Sequence, residues 1–388
     1  MTHKERRELN GVYVHFPFCL KKCRYCDFVS SPVDGRSSSH FKDYLSMVKK
    51  EITLRREELE GLSHDISVFF GGGTPTCFPK DVMEDFINFL QTELEGHNIV
   101  EFTCESNPKT MDIDYLRMLK GTKVDRLSIG FQSLIDEELK LLGRIHSSAD
   151  CTLALRDAKE AGFDNINVDM MIGIPNQEED RYIQSLKEVI ELGPEHISVY
   201  SLILEEGTLL FDDVIKKRVL LPPEDDVAAI YEAMVDILQS AGYMRYEVSN
   251  FAKPKRECVH NNVYWANDIY CGFGVAAHSH KARGIRTYNK ESYEEYMKLL
   301  KEGRTPSAGY EELPIMMQVS DAFMLGLRRS CGIDLLETSK IYQVDVSKVY
   351  DKKIAKLVKL GLLERDGSII RMTNKGFLLG NMVFGEFI

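Results

Sequence analysis

Three cysteines, Cys19, Cys23 and Cys26, stand in a C-x3-C-x2-C spacing inside the stretch Val12 to Phe28. Thiolates placed so closely can converge on one inorganic centre. A structural zinc site is closed by four ligands, and an ordinary four-iron cluster takes four cysteines. Phe28 stands where a C-x-C continuation would supply the fourth. Three protein ligands on a four-iron cluster leave one iron open, and an open metal position is a place for chemistry. The alternative is a structural zinc site completed by a distant His or Cys, although the second C-x2-C of a zinc ribbon is absent. A disulfide framework fits less well. An odd trio among nine cysteines, behind a polar N-terminus unlike a secretory signal, points to a reducing compartment.

Other groups with chemical capacity recur farther along. Gly71-Gly72-Gly73-Thr74-Pro75-Thr76 follows an apolar run. It matches neither the dinucleotide nor the P-loop fingerprint. It is either a tight turn or a place where backbone polar groups approach a ligand closely. Glu105 precedes Ser106-Asn107-Pro108, and Gln132 follows Ile129-Gly130-Phe131; each also reads as a surface group. Asp169 sits within Val168-Asp169-Met170, where a carboxylate is costly unless partnered. Arg144 follows Leu142-Gly143 and suits a carboxylate partner, from the protein or from a ligand.

These groups need elements to hold them. Short apolar runs at 12–16, 66–70, 100–103, 126–130, 166–171 and 196–201 read as strands. Between them lie stretches of helical periodicity at 40–60, 79–94, 111–120, 136–143, 147–161 and 179–192, and another at 224–241 follows the last strand. Strands alternating with helices imply parallel pairing through crossovers. The cysteine loop, the triple glycine, Glu105, Gln132, Asp169 and Ser201 all fall at or near strand ends. A doubly wound sheet gathers ligand groups at one switch point, whereas a barrel brings every strand end to one mouth. The expectation is α/β, an open, partial (β/α)6 barrel over residues 11–205.

With 388 residues the chain has room for a second domain. Residues 1–10 read as a tail, 11–242 as the barrel, and 243–300 as an extension packed on it. The Gly- and Pro-punctuated stretch 301–314 reads as a linker, and 315–388 as a helical, winged-helix-like C-terminal domain. Hydrophobic content of 44% and charged content of 28% belong to a soluble globular protein. A net charge of −11 and the lack of a basic recognition helix argue against a nucleic-acid partner. No run of eighteen apolar residues is present, so no membrane span is expected, and the expected location is cytoplasmic.

The ordered set of Cys19-x3-Cys23-x2-Cys26, Gly71 to Thr76, Glu105-Ser106-Asn107-Pro108, Ser128 to Ser133, and Asp169 with Gly173-Ile174-Pro175 resembles the radical S-adenosylmethionine (SAM) enzymes. The branch is that of oxygen-independent coproporphyrinogen III oxidase (HemN), and Leu325-Gly326-Leu327-Arg328 extends the resemblance into the C-terminal domain. Two features differ from the oxidase pattern. A further cysteine two residues after the third is replaced by Asp27-Phe28, and Cys19 lies close to the start. His260-Asn261-x-x-Tyr264-Trp265 is similar to the HNxxYW signature of the HemW heme chaperones in that branch.

The resemblance implies a radical SAM barrel whose Cys19, Cys23 and Cys26 bind three irons of a [4Fe-4S] cluster, with SAM on the open iron. Tyr13, Gly72, Gly73, Thr74, Glu105, Gln132, Arg144 and Asp169 match SAM-contacting positions, and Tyr25 matches an aromatic near the adenine. No residue is assigned a catalytic role beyond cluster and SAM. A reduced cluster in this superfamily splits SAM to a 5′-deoxyadenosyl radical, the cofactor doing the hard step. Heme would be a further ligand, with His260 the candidate contact through its motif, and Cys258, His278 and His280 nearby in sequence. The alternative for His260 is a hydrogen-bond network under Trp265. The resemblance further implies heme or porphyrin, a haem-protein acceptor and an electron donor as partners. The function expected is that of a radical SAM [4Fe-4S] protein that binds heme and delivers it to haem proteins, favoured by Phe28 and by His260 to Trp265; the alternatives are a coproporphyrinogen III oxidase and a structural zinc protein without radical chemistry.

Overall fold

The computed structural model of the chain describes residues 9–33 and 38–388. Six strands run in chain order across the middle of a twelve-stranded sheet. They are β1 (Leu9–Phe16), β2 (Asp65–Gly72), β3 (Asn98–Ser106), β4 (Arg126–Gln132), β5 (Ile166–Ile172) and β6 (His196–Ser201). All five pairings among them are parallel. The crossovers are helical, chiefly α1 (Ser38–Leu54), α2 (Lys80–Glu93), α3 (Ile113–Lys120), α4 (Ser148–Glu160) and α5 (Glu179–Leu192). This is the open, partial (β/α)6 barrel expected from the alternation.

Strand periodicity explains how the barrel holds a polar interior. Alternate residues such as Val12, Val14 and Phe16, Ile66, Val68 and Phe70, or Ile166, Val168 and Met170 are buried in the main apolar core beneath the helices. The intervening positions are of another character: Ser67, Glu101, Thr103, Arg126, Ser128, Asn167, Asp169, His196 and Ser198. Polar groups there must be satisfied by one another or by a ligand. The period of two thus separates a packing face from a chemical face on the same strands.

The region 243–300 does more than pack on the barrel. Its strand Tyr270–Phe273 pairs parallel with β1. Strands His278–Ala282, Ile285–Asn289 and Ser307–Glu312 then continue the sheet as antiparallel neighbours. Ser307–Glu312 falls inside the expected linker 301–314, so that stretch carries an edge strand instead of a free tether. Local sequence hid it: the segment is polar and mostly exposed, as a one-sided edge strand is. Residues 9 and 10 of the expected N-terminal tail already belong to β1, and residues 1–8 lie outside the described residues. At the other edge, Asn250–Ala252 pairs antiparallel with β6.

The C-terminal segment forms its own apolar core, with Phe323, Tyr350 and Phe387 rings in mutual contact. Helices Ile315–Gly326, Leu335–Tyr342 and Val346–Lys359 combine with a three-stranded sheet of Ile333–Asp334, Ile369–Met372 and Leu363–Asp366. Helices followed by a short antiparallel wing give the winged-helix-like arrangement. Ser330 ties this unit to the barrel extension, its N–H and hydroxyl donating to the Tyr246 and Arg245 carbonyls at 2.9 and 2.8 Å.

Candidate functional site

The cysteine loop leaves β1 at Pro17, where the chain can no longer donate to the ladder. Its two ends are held together by Ser31 N–H on the Pro17 carbonyl and Val33 N–H on the Cys19 carbonyl, at 2.9 and 3.0 Å. Arg24 anchors the middle. Its N–H and guanidinium donate to the Leu142 and Leu141 carbonyls, and it forms an ion pair with Asp213. The loop is therefore fixed at both ends and at its centre, and the three thiols share one surface.

That surface is the wall of a cavity of about 460 Å³ at the carboxyl ends of the strands, within the size range of small-molecule sites. Cys19, Cys23, Cys26 and Tyr25 line it from the loop. Gly72, Gly73 and Thr74 line it from the end of β2, Glu105 from β3, Gln132 from β4, Asp169 from β5, and Arg144 from the turn after residue 142. Eleven of the thirteen expected site residues thus meet in one place.

The glycines are required by space. Gly72 has φ +107°, a left-handed conformation, and a Cβ on it would lie 2.6 Å from the His15 ring. A Cβ on Gly73 would lie 2.6 and 2.8 Å from the Phe18 and Phe16 carbonyl oxygens, which are backbone and cannot move aside. Gly73 N–H donates to the Phe16 carbonyl at 2.6 Å and Thr74 N–H to the Phe18 carbonyl at 2.8 Å. The triple glycine is therefore a close backbone seam that fastens the cysteine loop to β2. Gln132 also has φ +68°, an uncommon conformation for a residue with a side chain. It re-aims the chain at the end of β4, on the cavity wall.

A chain of polar contacts joins two of the cysteines. Thr74 Oγ1 lies 3.5 Å from Cys19 Sγ and accepts from Asn107 Nδ2 at 2.8 Å. Asn107 Oδ1 accepts from Arg144 Nη2, and Arg144 Nη1 lies 3.3 Å from Cys23 Sγ. Arg144 Nη2 also donates to the Gly130 carbonyl at 2.7 Å. The planar guanidinium fork can serve all three partners at once, which a lysine cannot do. Burial pushes the Cys19 and Cys26 thiols up from their ordinary values, opposed at Cys19 by the Thr74 hydroxyl and at Cys26 by the Phe28 backbone. Deprotonating them calls for a cation on the ligand side, such as iron would supply.

Across the cavity lie the carboxylates. Burial, then the nearby charge of Asp169, pushes the Glu105 carboxyl up to about 8, against the Gly72 N–H at 3.2 Å and the charge of Arg126. Burial also raises Asp169, but Asn167 Nδ2 at 2.7 Å and Ser128 Oγ at 3.4 Å oppose the shift. Behind it Asn167 Oδ1 accepts from Ser198 Oγ at 3.0 Å and faces His196 Nδ1 at 2.6 Å. Arg126, 2% exposed, borders the cavity with an Nε that makes no hydrogen bond. Acceptors beside one cation and beside donor backbone suit a zwitterionic, partly cationic ligand. The donor set and the glycine seam fit a three-cysteine cluster with SAM beside it.

Two expected residues lie elsewhere. Tyr13 is not on this wall; its hydroxyl meets His15 Nδ1 at 3.0 Å and its ring lines a neighbouring cavity. His260 is fully buried in the helix Val259–Trp265 beneath the cavity. Its Nδ1 meets Ser67 Oγ and its Nε2 meets Tyr264 OH, both at 2.9 Å. Burial holds it down to about 3, so it is neutral. The hydrogen-bond network, left open by the sequence as the alternative, is where the structure places it. Its motif neighbours diverge: Asn261 lines the main cavity, Tyr264 the other one, and Trp265 lies under the Arg328 guanidinium at 5.3 Å. Sequence reasoning gave no separate role to Asn107, Arg126, Asn167 or Glu101. The signal for Glu101 and Arg126 was a charged residue inside an apolar strand. Glu101 accepts from the Val259 and His260 N–H groups at 2.9 and 3.0 Å, capping that helix.

Comparison with known proteins agrees with this geometry. Residues 13–189 match the model of the radical SAM superfamily, and 318–379 match that of the HemN C-terminal domain. The chain is 33% identical to the heme chaperone HemW of Bacillus subtilis, over 98% of this chain and 99% of that one. It is 31% identical to the mouse mitochondrial radical S-adenosyl methionine domain-containing protein 1, over 94% of this chain and 84% of that one. Among solved structures, coproporphyrinogen III oxidase (HemN) from Escherichia coli superposes with a TM-score of 0.83 at 23% identity, covering 98% and 90% of the two chains, which establishes a common fold. The chain belongs to the HemW family of heme chaperones within the radical SAM superfamily.

Proposed function

We propose that this protein binds heme and delivers it to haem proteins, with a [4Fe-4S] cluster and SAM held in the main cavity. The observation that carries the reading is the cysteine loop: three thiols face the cavity, and Phe28 occupies the position of the oxidase's further cysteine. Cys19, Cys23 and Cys26 would bind three irons. Gly72, Gly73 and Thr74, with Glu105, Gln132, Arg144, Asp169 and Tyr25, would hold SAM. When bound, cluster and SAM supply one-electron chemistry, fed by an electron donor. The protein's own part is to orient the ligand by the Arg144 fork and the two carboxylates, and to shield it at the bottom of the strand ends.

The gathering of the residues expected to hold SAM around one cavity keeps coproporphyrinogen III oxidation as the second reading. Anaerobic reconstitution, followed by parallel assays with heme and with coproporphyrinogen III, separates them. Four irons and four sulfides per chain, stable heme uptake and no protoporphyrinogen support the chaperone. Protoporphyrinogen formed in step with 5′-deoxyadenosine establishes the oxidase. Zinc without sulfide removes both.

A further inference from the structure

The chaperone reading requires a heme site, and His260 is enclosed. A second cavity, of about 370 Å³, opens beside the cysteine loop. Tyr13, Phe28, Tyr264 and Tyr270 give it aromatic walls, and His278 borders it. Asp27 and Phe28 line both this cavity and the main one, so the two cavities flank the same residues of the loop. The Phe28 ring is 61% exposed, an apolar surface held open to solvent at the rim.

His278 differs from His15, His196, His260 and His280 in its free ring. His15, His196 and His260 have both ring nitrogens engaged, and His280 Nδ1 meets the Asp268 carbonyl at 2.9 Å. His278 is exposed at the start of the strand His278–Ala282, and its ring makes no hydrogen bond among the described residues. Tyr288 stacks on it at 5.6 Å and 28°, which fixes the plane of the imidazole. An aromatic lining with a free imidazole nitrogen suits an iron porphyrin: apolar surface for the macrocycle and an axial donor for the metal.

We infer that this second cavity binds heme, with the His278 imidazole as the axial ligand of the iron. The inference rests on the chaperone reading and gives it a location. It also gives the HNxxYW motif a division of labour. His260 holds the Tyr264 hydroxyl at 2.9 Å, and Tyr264 meets Tyr270 edge to face at 4.7 Å, so His260 is a positioning residue for the cavity wall.

The test is titration of ferric heme into the full-length protein, read by the Soret band. Wild-type protein is expected to bind one heme. His278→Ala should weaken binding at least tenfold and shift the band, and added imidazole should restore the wild-type band. His260→Gln should keep the band position while weakening binding. An unchanged band and affinity in His278→Ala overturns the site while leaving the chaperone reading standing. A wild-type protein that takes up no heme overturns that reading, and the site with it. His278 is an exposed strand residue, so circular dichroism of His278→Ala should match wild type.

Discussion

Replacing Glu105 by Gln should stabilise the protein purified without cluster or SAM, by an amount that grows with pH. The Glu105 carboxyl is raised from an ordinary 4.5 to about 8, first by burial and then by the charge of Asp169. Between those values the unfolded chain has lost this proton and the folded chain keeps it. Folded protein therefore binds more protons, and its stability falls as pH rises, by up to about 1.4 kcal/mol per unit. From pH 5.5 to 7.5 the ceiling is about 2.7 kcal/mol. Glu105 lines an open cavity and is only partly shielded, so about 1–2 kcal/mol is the expected range. Glutamine does not titrate. Urea unfolding of wild type and Glu105→Gln, followed by the fluorescence of the single tryptophan, Trp265, should give two stability curves that diverge over this window, with the variant above. Parallel curves would refute the assignment of a protonated Glu105 at neutral pH. A cationic ligand reverses the shift, so SAM binding to wild type at pH 7 should release protons, which titration calorimetry in buffers of differing ionisation enthalpy detects, and Glu105→Gln should abolish that release.

Gly73→Ala forces a Cβ against two backbone carbonyls and should destabilise the protein by about 1–3 kcal/mol, with a matching loss of iron after reconstitution; a wild-type melt and iron content would show that the seam is not tight. Arg144→Lys removes the fork that links Cys23, Asn107 and the Gly130 carbonyl and should weaken SAM binding about tenfold, roughly 1.4 kcal/mol, with the fold unchanged by circular dichroism. Glu51, fully buried in α1, accepts from Arg55, Asn289, Tyr296 and the Gly274 N–H. Glu51→Ala leaves the buried Arg55 with Glu58 as its remaining carboxylate partner among the described residues, and strips three further donors of an acceptor; it should cost about 3–5 kcal/mol, measured by denaturant unfolding.

The barrel was legible because its strands show two faces at period two, and the apolar face is continuous enough to read as strand. Strand ends were shorter in the reading than in the fold for the same reason. The run at 100–103 is in fact Asn98–Ser106, because the polar positions Glu101, Thr103 and Glu105 face the interior and look like loop. The cysteine motif and the glycine run carried the site, since both are local. What stayed hidden depends on long-range pairing. Tyr270–Phe273 is a strand because β1 lies beside it, and Ser307–Glu312 is one because Ile285–Asn289 does; neither carries its own signal. The HNxxYW motif marked a place without revealing its parts. Only the fold shows His260 enclosed, Asn261 on one cavity and Tyr264 on another.

The most direct measurement is transfer. Protein reconstituted anaerobically and loaded with heme is mixed with an excess of an apo-haem protein, and the Soret spectrum of the acceptor is followed after separation. Heme is expected to move to the acceptor, and Cys19→Ala, Cys23→Ala and Cys26→Ala are expected to lose the cluster. Heme that is never bound, or never leaves, together with decarboxylation of coproporphyrinogen III, would contradict the chaperone reading.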